Sequence, residues 1–341
     1  MCTKLKSGLS YKKTLLILSL LSVVFGVLTG FFGEILSSAS AALLCAVLLF
    51  EDGEKRYFSI ASTVLLLASN VLLFIFLGIF SFYGIEAIAI AYIIAFMYKR
   101  NYRKSTTCAV LTASVVLFIA LTLIIAPMLE TGVATLDAVK DYYTDMLDAA
   151  RADFISGMKN MLDTVSANSA EGVYLPMAED FGLIFDSFVN SLISIIVIIG
   201  FFVSGIALKI FSLVMGACSE DSKKNSEWRF NTTSLFAYFY IALFIVSTFI
   251  SLENDTFSLT VINLYNIFMF VFAYIGLRSV YYMIRAKRSA LFAVIVLGAA
   301  FMIMSVMSVQ LLSAVGATMT VITNKFSQDG NVPKQEDKEN Q

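Results

Sequence analysis

Long apolar segments with few charges between them constrain this chain more than any other feature of its sequence. About 20 apolar residues in a helix cross a hydrocarbon core of roughly 30 Å. Segments of this kind recur along the 341 residues, and composition sets their bounds at 14–32, 35–50, 57–80, 82–98, 105–129, 183–217, 232–252, 258–284 and 289–316. They lack the period-two alternation of a membrane β-barrel. The sequence therefore predicts an all-α polytopic membrane bundle of about nine transmembrane helices.

Lysine and arginine positions predict the orientation of this bundle. With the N-terminus in the cytoplasm, basic residues fall in every predicted inner segment, and the short outer turns near 33–34, 80–82 and 253–257 contain none. This distribution satisfies the positive-inside rule. It predicts a plasma-membrane protein whose N-terminus is cytoplasmic. The charge-free stretch 289–323 leaves open a broken helix pair that would return the C-terminus to the cytoplasm.

The N-terminus has a rival interpretation as a cleaved signal peptide, because lysines, an apolar run and "ASA" at 39–41 follow each other. That apolar run is long for a signal peptide, so we expect an uncleaved first span. The four cysteines all lie near the predicted cytoplasmic side. Thiols in that compartment stay reduced and their spacing fits no metal motif, so neither structural disulfides nor a bound metal is expected.

One hydrophilic segment divides the chain into regions. We predict a five-span region at 1–129, an acidic segment at 130–182, a four-span region at 183–323 and a disordered polar tail at 324–341. The acidic segment contains ten acidic and three basic residues. Its apolar residues recur every three or four positions from Leu136 to Val165, which predicts an amphipathic extracytoplasmic helix. It is either a connecting helical hairpin or a cap over an outward opening.

Small residues at a spacing of four predict where helices approach closely, because backbone contact drives helix association in lipid. The first, second and fourth spans each contain such a stripe. Bundle packing is the first interpretation, and docking of a partner membrane protein is the second. The stripe residues proposed for either role are Gly26, Gly30, Ala42, Ala46, Ala87, Ala91 and Ala95.

Polar residues inside the predicted spans gather toward the outer side of the membrane. An ionisable residue in a span is a functional hypothesis because exposing it to lipid costs several kcal/mol, whereas carboxamides often form ordinary interhelical hydrogen bonds. A ligand pocket open to the outside and a set of interhelical hydrogen bonds are both compatible with the pattern. The candidate ligand-binding residues are Glu86, Asn263, Asn266, Asn190, Gln310 and Glu34.

Catalytic signatures are missing from the sequence. It has no histidine, phosphate-binding loop, nucleophile elbow or zinc-protease motif, so we predict no catalytic residues, no enzyme activity and no cofactor. A net charge of −1 gives no reason to expect nucleic acid. The expected surroundings are a lipid bilayer and, if any, membrane or cell-envelope partners.

The C-terminal part of the sequence resembles the YybS-like family of uncharacterised bacterial membrane proteins, which is built around a domain of unknown function. The residues that carry the resemblance are "SEWRF" at 226–230, "NLYNIFMFVFAYIGLRSVYYMI" from Asn263, and "LLSAVGATMTVITNKF" ending at Phe326. Such proteins are distantly similar to substrate-binding subunits of energy-coupling-factor transporters. The resemblance implies an outward-facing small-molecule pocket and a small-residue stripe that docks a coupling subunit.

Two functions follow as expectations. The first is a transport-type membrane subunit that binds a small molecule in an outward-facing polar pocket. The second is a non-transporting membrane organiser that recruits a cell-envelope partner through its acidic outer segment. Co-purification of coupling subunits or of cell-envelope proteins would distinguish them.

Overall fold

A computed structural model describes residues 10–51, 56–77, 82–168, 178–219, 232–249, 256–304 and 306–328. These ranges contain twelve α-helices and no β-strand. The helices are α1 (Tyr11–Phe32), α2 (Glu34–Phe50), α3 (Tyr57–Leu77), α4 (Tyr83–Lys99), α5 (Lys104–Thr131), α6 (Leu136–Asn168), α7 (Ala178–Asn190), α8 (Leu192–Cys218), α9 (Ser234–Phe249), α10 (Thr256–Arg285), α11 (Ala290–Met304) and α12 (Val306–Gln328). The all-helical prediction is confirmed for the part of the chain that the structure describes.

Four of the described helices are long and apolar enough to cross a membrane by length and composition. They comprise Tyr11–Thr29, Lys104–Thr131, Leu192–Cys218 and Thr256–Arg285. Shorter apolar helices, such as Ile35–Phe50 and Ser234–Phe249, accompany them. The total of nine spans stays a prediction. The predicted polar tail at 324–341 falls largely outside the described residues.

The chain divides into two compact units. The first unit comprises Met1–Leu192 and Ile199–Arg229, and the second comprises Ile193–Ile198 and Phe230–Gln341. Helix α8 therefore contributes residues to both units.

Helix α2 lies in the core of the first unit, where residues 37–47 are all buried, although Ile35 near its start is exposed. Its residues Ala41, Ala42, Leu44, Cys45 and Ala46 are all fully buried, and α2 packs mainly against α1 and α4. A short apolar helix can be buried all round only if small residues let its neighbours approach. Gly33, which separates α1 from α2, has φ of 75°, a left-handed conformation that glycine adopts without steric cost.

The small-residue stripes lie at these helix contacts. Ala42, Ala46, Ala87, Ala91 and Ala95 are all buried within the first unit. A Cβ atom on Gly26 would lie 3.2 Å from the Ser40 hydroxyl and would overlap the Leu66 side chain. The side-chain surroundings of Gly30 lie outside the described residues.

Serine side chains join the helices of the first unit by hydrogen bonds. Ser22 of α1 donates to the Ser40 carbonyl of α2 at 3.0 Å, and the Ser40 hydroxyl donates to the Ser22 carbonyl at 2.8 Å. Ser38 of α2 donates to the Val203 carbonyl of α8 at 3.1 Å. Lipid offers no hydrogen-bond partner to these hydroxyl groups, so the bonds between helices satisfy them. Because such bonds form only when the two helices are correctly aligned, they add geometric specificity to the small-residue packing.

The chain between 183 and 217, which was predicted as one span, is not a single helix. Helix α7 ends at Asn190, Ser191 forms a turn, and α8 begins at Leu192. Helix α7 packs instead on α6, where the Arg151 guanidinium forms a bidentate pair with Asp186 at 3.0 and 3.2 Å and the rings of Phe154 and Phe185 lie 5.8 Å apart. Phe185 of α7 therefore contacts α6, whereas Leu183, Ile184 and Phe188 of α7 are exposed. The predicted amphipathic helix over 136–165 matches α6, and its side of the membrane stays a prediction.

The second unit is built around the crossing of α10 and α12. Fully buried Phe272 lies in its core with Ala237, Tyr240 and Ala317. The Tyr240 hydroxyl is 2.7 Å from that of Ser313, which ties α9 to α12. The predicted segment 289–316 corresponds to two described helices, α11 and α12, with residue 305 outside the described part.

Candidate functional site

The predicted site residues are distributed over both units. Glu34, Glu86 and Asn190 belong to the first unit, and Asn263, Asn266 and Gln310 belong to the second. Glu86 is 2% exposed, Asn190 is half-buried at the end of α7, and the side chain of Glu34 lies outside the described residues. Their convergence into one site stays a prediction, so each unit is described separately.

Asn263 of the second unit holds the first turn of α8. Its side-chain oxygen accepts a hydrogen bond from the Ser194 backbone N–H at 3.0 Å, and its amide nitrogen donates to the Leu259 carbonyl at 2.9 Å. The first N–H groups of a helix have no partner within the helix, and Asn263 supplies one from α10. Asn266 lies one turn later and is half-buried, whereas Gln310 is exposed. Asn263 therefore forms an interhelical hydrogen bond, which the sequence pattern left open as the alternative to ligand binding.

A partly open cavity of about 110 Å³ lies beside Glu86 in the first unit. Residues of α5 and residues at the start of α4 line it. The lining consists of Phe82, Tyr83, Glu86, Phe118, Ile119, Thr122 and Leu123. It includes Glu86 but not Asn190. The described lining therefore combines one carboxylate, three aromatic rings, two hydroxyl groups (Tyr83 and Thr122) and aliphatic side chains.

The first turn of α4 is held in place by a neighbouring helix. The Asn70 side chain of α3 accepts a hydrogen bond from the Gly84 N–H at 3.1 Å and donates to the Leu66 carbonyl at 2.8 Å. A Cβ atom on Gly84 would overlap the Asn70 amide and lie 2.9 Å from the Leu66 carbonyl oxygen. Because the N-cap residue Phe82 supplies no side-chain cap, Asn70 performs this role and fixes the turn that carries Glu86.

Pro127 in α5 frees the backbone carbonyl of Leu123, a residue that lines the cavity. Pro127 lies inside α5 and has no N–H, so the Leu123 carbonyl loses its partner within the helix. The Tyr143 hydroxyl of α6 donates to this carbonyl at 2.7 Å. Leu123 also lines the cavity. Helix α6 is thus bound to α5 at the cavity wall.

A second tyrosine strengthens the attachment of α6. The Tyr142 hydroxyl donates to the Glu130 carboxylate at 2.8 Å, and this hydrogen bond raises the pKa of Tyr142. Partial burial raises the pKa of Tyr143. Both shifts move the pKa away from neutral pH, so both tyrosines remain hydrogen-bond donors there.

Sequence reasoning identified Glu86 but missed the residues that surround it. Asn70 is a polar residue and Pro127 a helix-breaking residue, and both lie inside predicted spans. The sequence therefore marked both positions as unusual. Phe118 and Thr122 are four residues apart on one helix face, yet nothing in the sequence indicates which face of α5 meets α4. Glu51, which directly follows α2, is a second buried glutamate of the first unit, with 3% of its surface exposed.

Comparison with known proteins gives a family but no relative of established function. No curated protein matches this chain, and no solved structure matches it. The family model described as "Predicted membrane protein (DUF2232)" matches residues 14–318. This match covers most of the apolar helices, including the cavity and the α10–α12 crossing. The chain therefore belongs to the DUF2232 family of predicted membrane proteins.

Proposed function

We propose that this protein is a transport-type membrane subunit that binds a small molecule in the cavity beside Glu86. The observation that carries the proposal is a carboxylate 2% exposed that lines a cavity in a strongly apolar helical bundle. A buried carboxylate is costly in such surroundings. Binding of a ligand to the Glu86 carboxyl would explain why the protein keeps an ionisable side chain at a buried position.

The proposal includes an outward-facing cavity in a bacterial plasma membrane, with about nine spans and a cytoplasmic N-terminus. The cavity lies where α4 begins and α5 continues toward α6. Since the basic residues favour the cytoplasm for the other ends of these helices, the cavity and α6 are on the outer side. The resemblance to the YybS-like family, and through it to energy-coupling-factor subunits, agrees with this orientation and suggests a coupling subunit as partner.

Cysteine labelling tests the orientation. In intact cells, a reagent that cannot cross the membrane is expected to label a cysteine placed at position 160 and to leave one at position 225 unlabelled. After permeabilisation both positions should react, which controls for accessibility. Labelling of position 225 alone in intact cells would reverse the orientation and place the cavity on the cytoplasmic side.

Glu86→Gln tests the binding role. The substitution keeps the shape of the side chain and removes its charge, so we expect a stably folded protein that no longer restores growth or uptake to cells lacking the gene. Glu130→Gln is the matched control, because it removes an exposed charge from the same end of the first unit and should retain activity. Full complementation by Glu86→Gln, at equal protein level and equal melting temperature, would refute the binding role.

The alternative function, a membrane organiser that recruits a cell-envelope protein, has one observation in its favour. Acidic residues on α6 are exposed, namely Asp137, Asp141, Asp145, Asp148 and Asp153. Purification in mild detergent distinguishes the two functions. Coupling and ATPase subunits in the eluate would favour the transport subunit, and a cell-envelope protein lost on replacing these aspartates with asparagine would favour the organiser.

A further inference from the structure

We infer that the cavity beside Glu86 takes a small organic cation of the alkylammonium class. This inference rests on the proposed function and deepens it by naming a substrate class. The rings of Phe82 and Phe118 both line the cavity, with centroids 6.3 Å apart and planes inclined at 47°. Aromatic faces attract ammonium groups, and the attraction increases when water is excluded. The Glu86 carboxyl lines the same cavity and, when ionised, would supply the negative charge that pairs with such a group.

Other ligand classes fit the lining less well. None of the lining residues that the structure describes is lysine or arginine, so an anion would meet the Glu86 carboxyl there with no basic side chain of that lining to bind it. A purely apolar ligand would offer the Glu86 carboxyl no polar group to interact with. A metal ion such as Ca²⁺ takes about six to eight oxygen ligands, whereas the lining offers one carboxylate. An organic cation uses both the charge and the rings.

The size of the cavity and the Thr122 hydroxyl group restrict which alkylammonium compounds fit. A cavity of about 110 Å³ has room for several waters, and hence for a ligand of roughly half a dozen non-hydrogen atoms. The Thr122 hydroxyl donates its proton to the Phe118 carbonyl at 2.9 Å. With its proton used in this way, the oxygen can only accept a hydrogen bond from a ligand, which suits an ammonium N–H or a hydroxyl substituent. A small ammonium compound with a short side chain matches these features.

Ligand-induced thermal stabilisation of the full-length protein in detergent tests the inference. The probes are tetramethylammonium, choline and 3,3-dimethyl-1-butanol, which is the uncharged carbon analogue of choline. Because a ligand that binds only the folded state raises the melting temperature, both cations are expected to raise it in a concentration-dependent way. The alcohol should leave it unchanged at equal concentration and ionic strength.

Two variants separate the contributions of charge and rings. Glu86→Gln is expected to abolish the shift caused by the cations without lowering the melting temperature of the ligand-free protein. Phe118→Leu keeps an apolar side chain but removes one ring, and should weaken cation binding about 3- to 30-fold. Glu130→Gln, as the control, should keep the full shift. If Phe118→Leu fails to fold, Phe82→Leu provides the same measurement on the other ring.

The outcomes separate this inference from the proposed function. Equal stabilisation by the alcohol and the cations, or a cation shift that survives Glu86→Gln, would overturn the alkylammonium class. Absence of any shift with all the cations would also overturn it. If, in that case, Glu86→Gln still abolishes complementation, the binding subunit stands with another ligand. If Glu86→Gln complements fully, the proposed function itself fails.

Discussion

Replacing Gly276 or Gly316 with valine is expected to prevent the second unit from folding. A Cβ atom on Gly276 would overlap the Leu312 carbonyl oxygen and lie 2.8 Å from its carbonyl carbon, and one on Gly316 would lie 2.8 Å from the Gly276 nitrogen. These are backbone atoms that cannot rotate away, so α10 and α12 must separate. Overpacking of this kind costs about 3 kcal/mol or more, and in lipid the lost contact is the main source of helix association. Size-exclusion chromatography in detergent should show aggregated protein.

A glycine outside the crossing is the control for this prediction. A Cβ atom on Gly298 of α11 would meet no atom within 4 Å, so Gly298→Ala should be neutral or stabilise by up to about 1 kcal/mol through helix propensity. Since both crossing glycines act on one interface, the double variant Gly276→Ala/Gly316→Ala should cost less than the sum of the single ones. Monodisperse Gly276→Val with an unchanged melting temperature would show that the crossing of α10 and α12 is incorrect.

Glu51→Ala is expected to destabilise the first unit by about 2–3 kcal/mol. The Glu51 carboxylate is 3% exposed and accepts hydrogen bonds from the backbone N–H groups of Phe58 at 2.7 Å and Ser59 at 2.9 Å. These donors lie in the first turn of α3, where no helical carbonyl is available. Alanine leaves two N–H groups unsatisfied near the bundle interior, and each loss costs about 1–3 kcal/mol before relaxation. Thermal or denaturant unfolding in detergent measures the change.

Two further variants test whether the loss of stability comes from the hydrogen bonds of the Glu51 carboxylate. Glu51→Gln keeps one carbonyl oxygen as acceptor and should lose roughly half as much stability as alanine. Asp153→Ala removes an exposed carboxylate of α6 and should change stability by no more than about 0.5 kcal/mol. Equal melting temperatures for Glu51→Ala and the wild-type protein would mean that the carboxylate does not cap α3.

Much of the secondary structure could be predicted from apolar segment length. The predicted segments 35–50 and 82–98 lie within a residue or so of α2 and α4, because a charge or a helix-breaking glycine ends each of them. Prediction failed at 183–217, since the first ten of these residues are apolar enough to belong to a span. Among them, Phe185 lies against Phe154 of α6 beside the Arg151–Asp186 pair, a contact between residues 35 positions apart that no local pattern indicates, whereas Leu183, Ile184 and Phe188 are exposed.

The candidate site was predictable only in part. A carboxylate inside an apolar segment identified Glu86 without structural information, because desolvation makes such a residue exceptional. The same reasoning made Asn263 a candidate ligand-binding residue and left an interhelical hydrogen bond as the alternative; in the structure its amide oxygen accepts a hydrogen bond from the Ser194 N–H of α8. A carboxamide can serve either purpose with the same composition around it. Only the position of its hydrogen-bond partner distinguishes the two.

The sequence by itself determined the helical class, the apolar segments and the amphipathic α6, because hydropathy and periodicity depend on residues close together in the chain. The tertiary structure decided which helix faces meet. It placed Phe118 of α5 beside Glu86, and it brought the Tyr143 hydroxyl to the carbonyl that Pro127 deprives of its helical partner. The rotation of an apolar helix about its axis has almost no signature in composition, since every face is compatible with lipid. It is set by close contacts such as Gly276 on Gly316, which form only when distant segments pack.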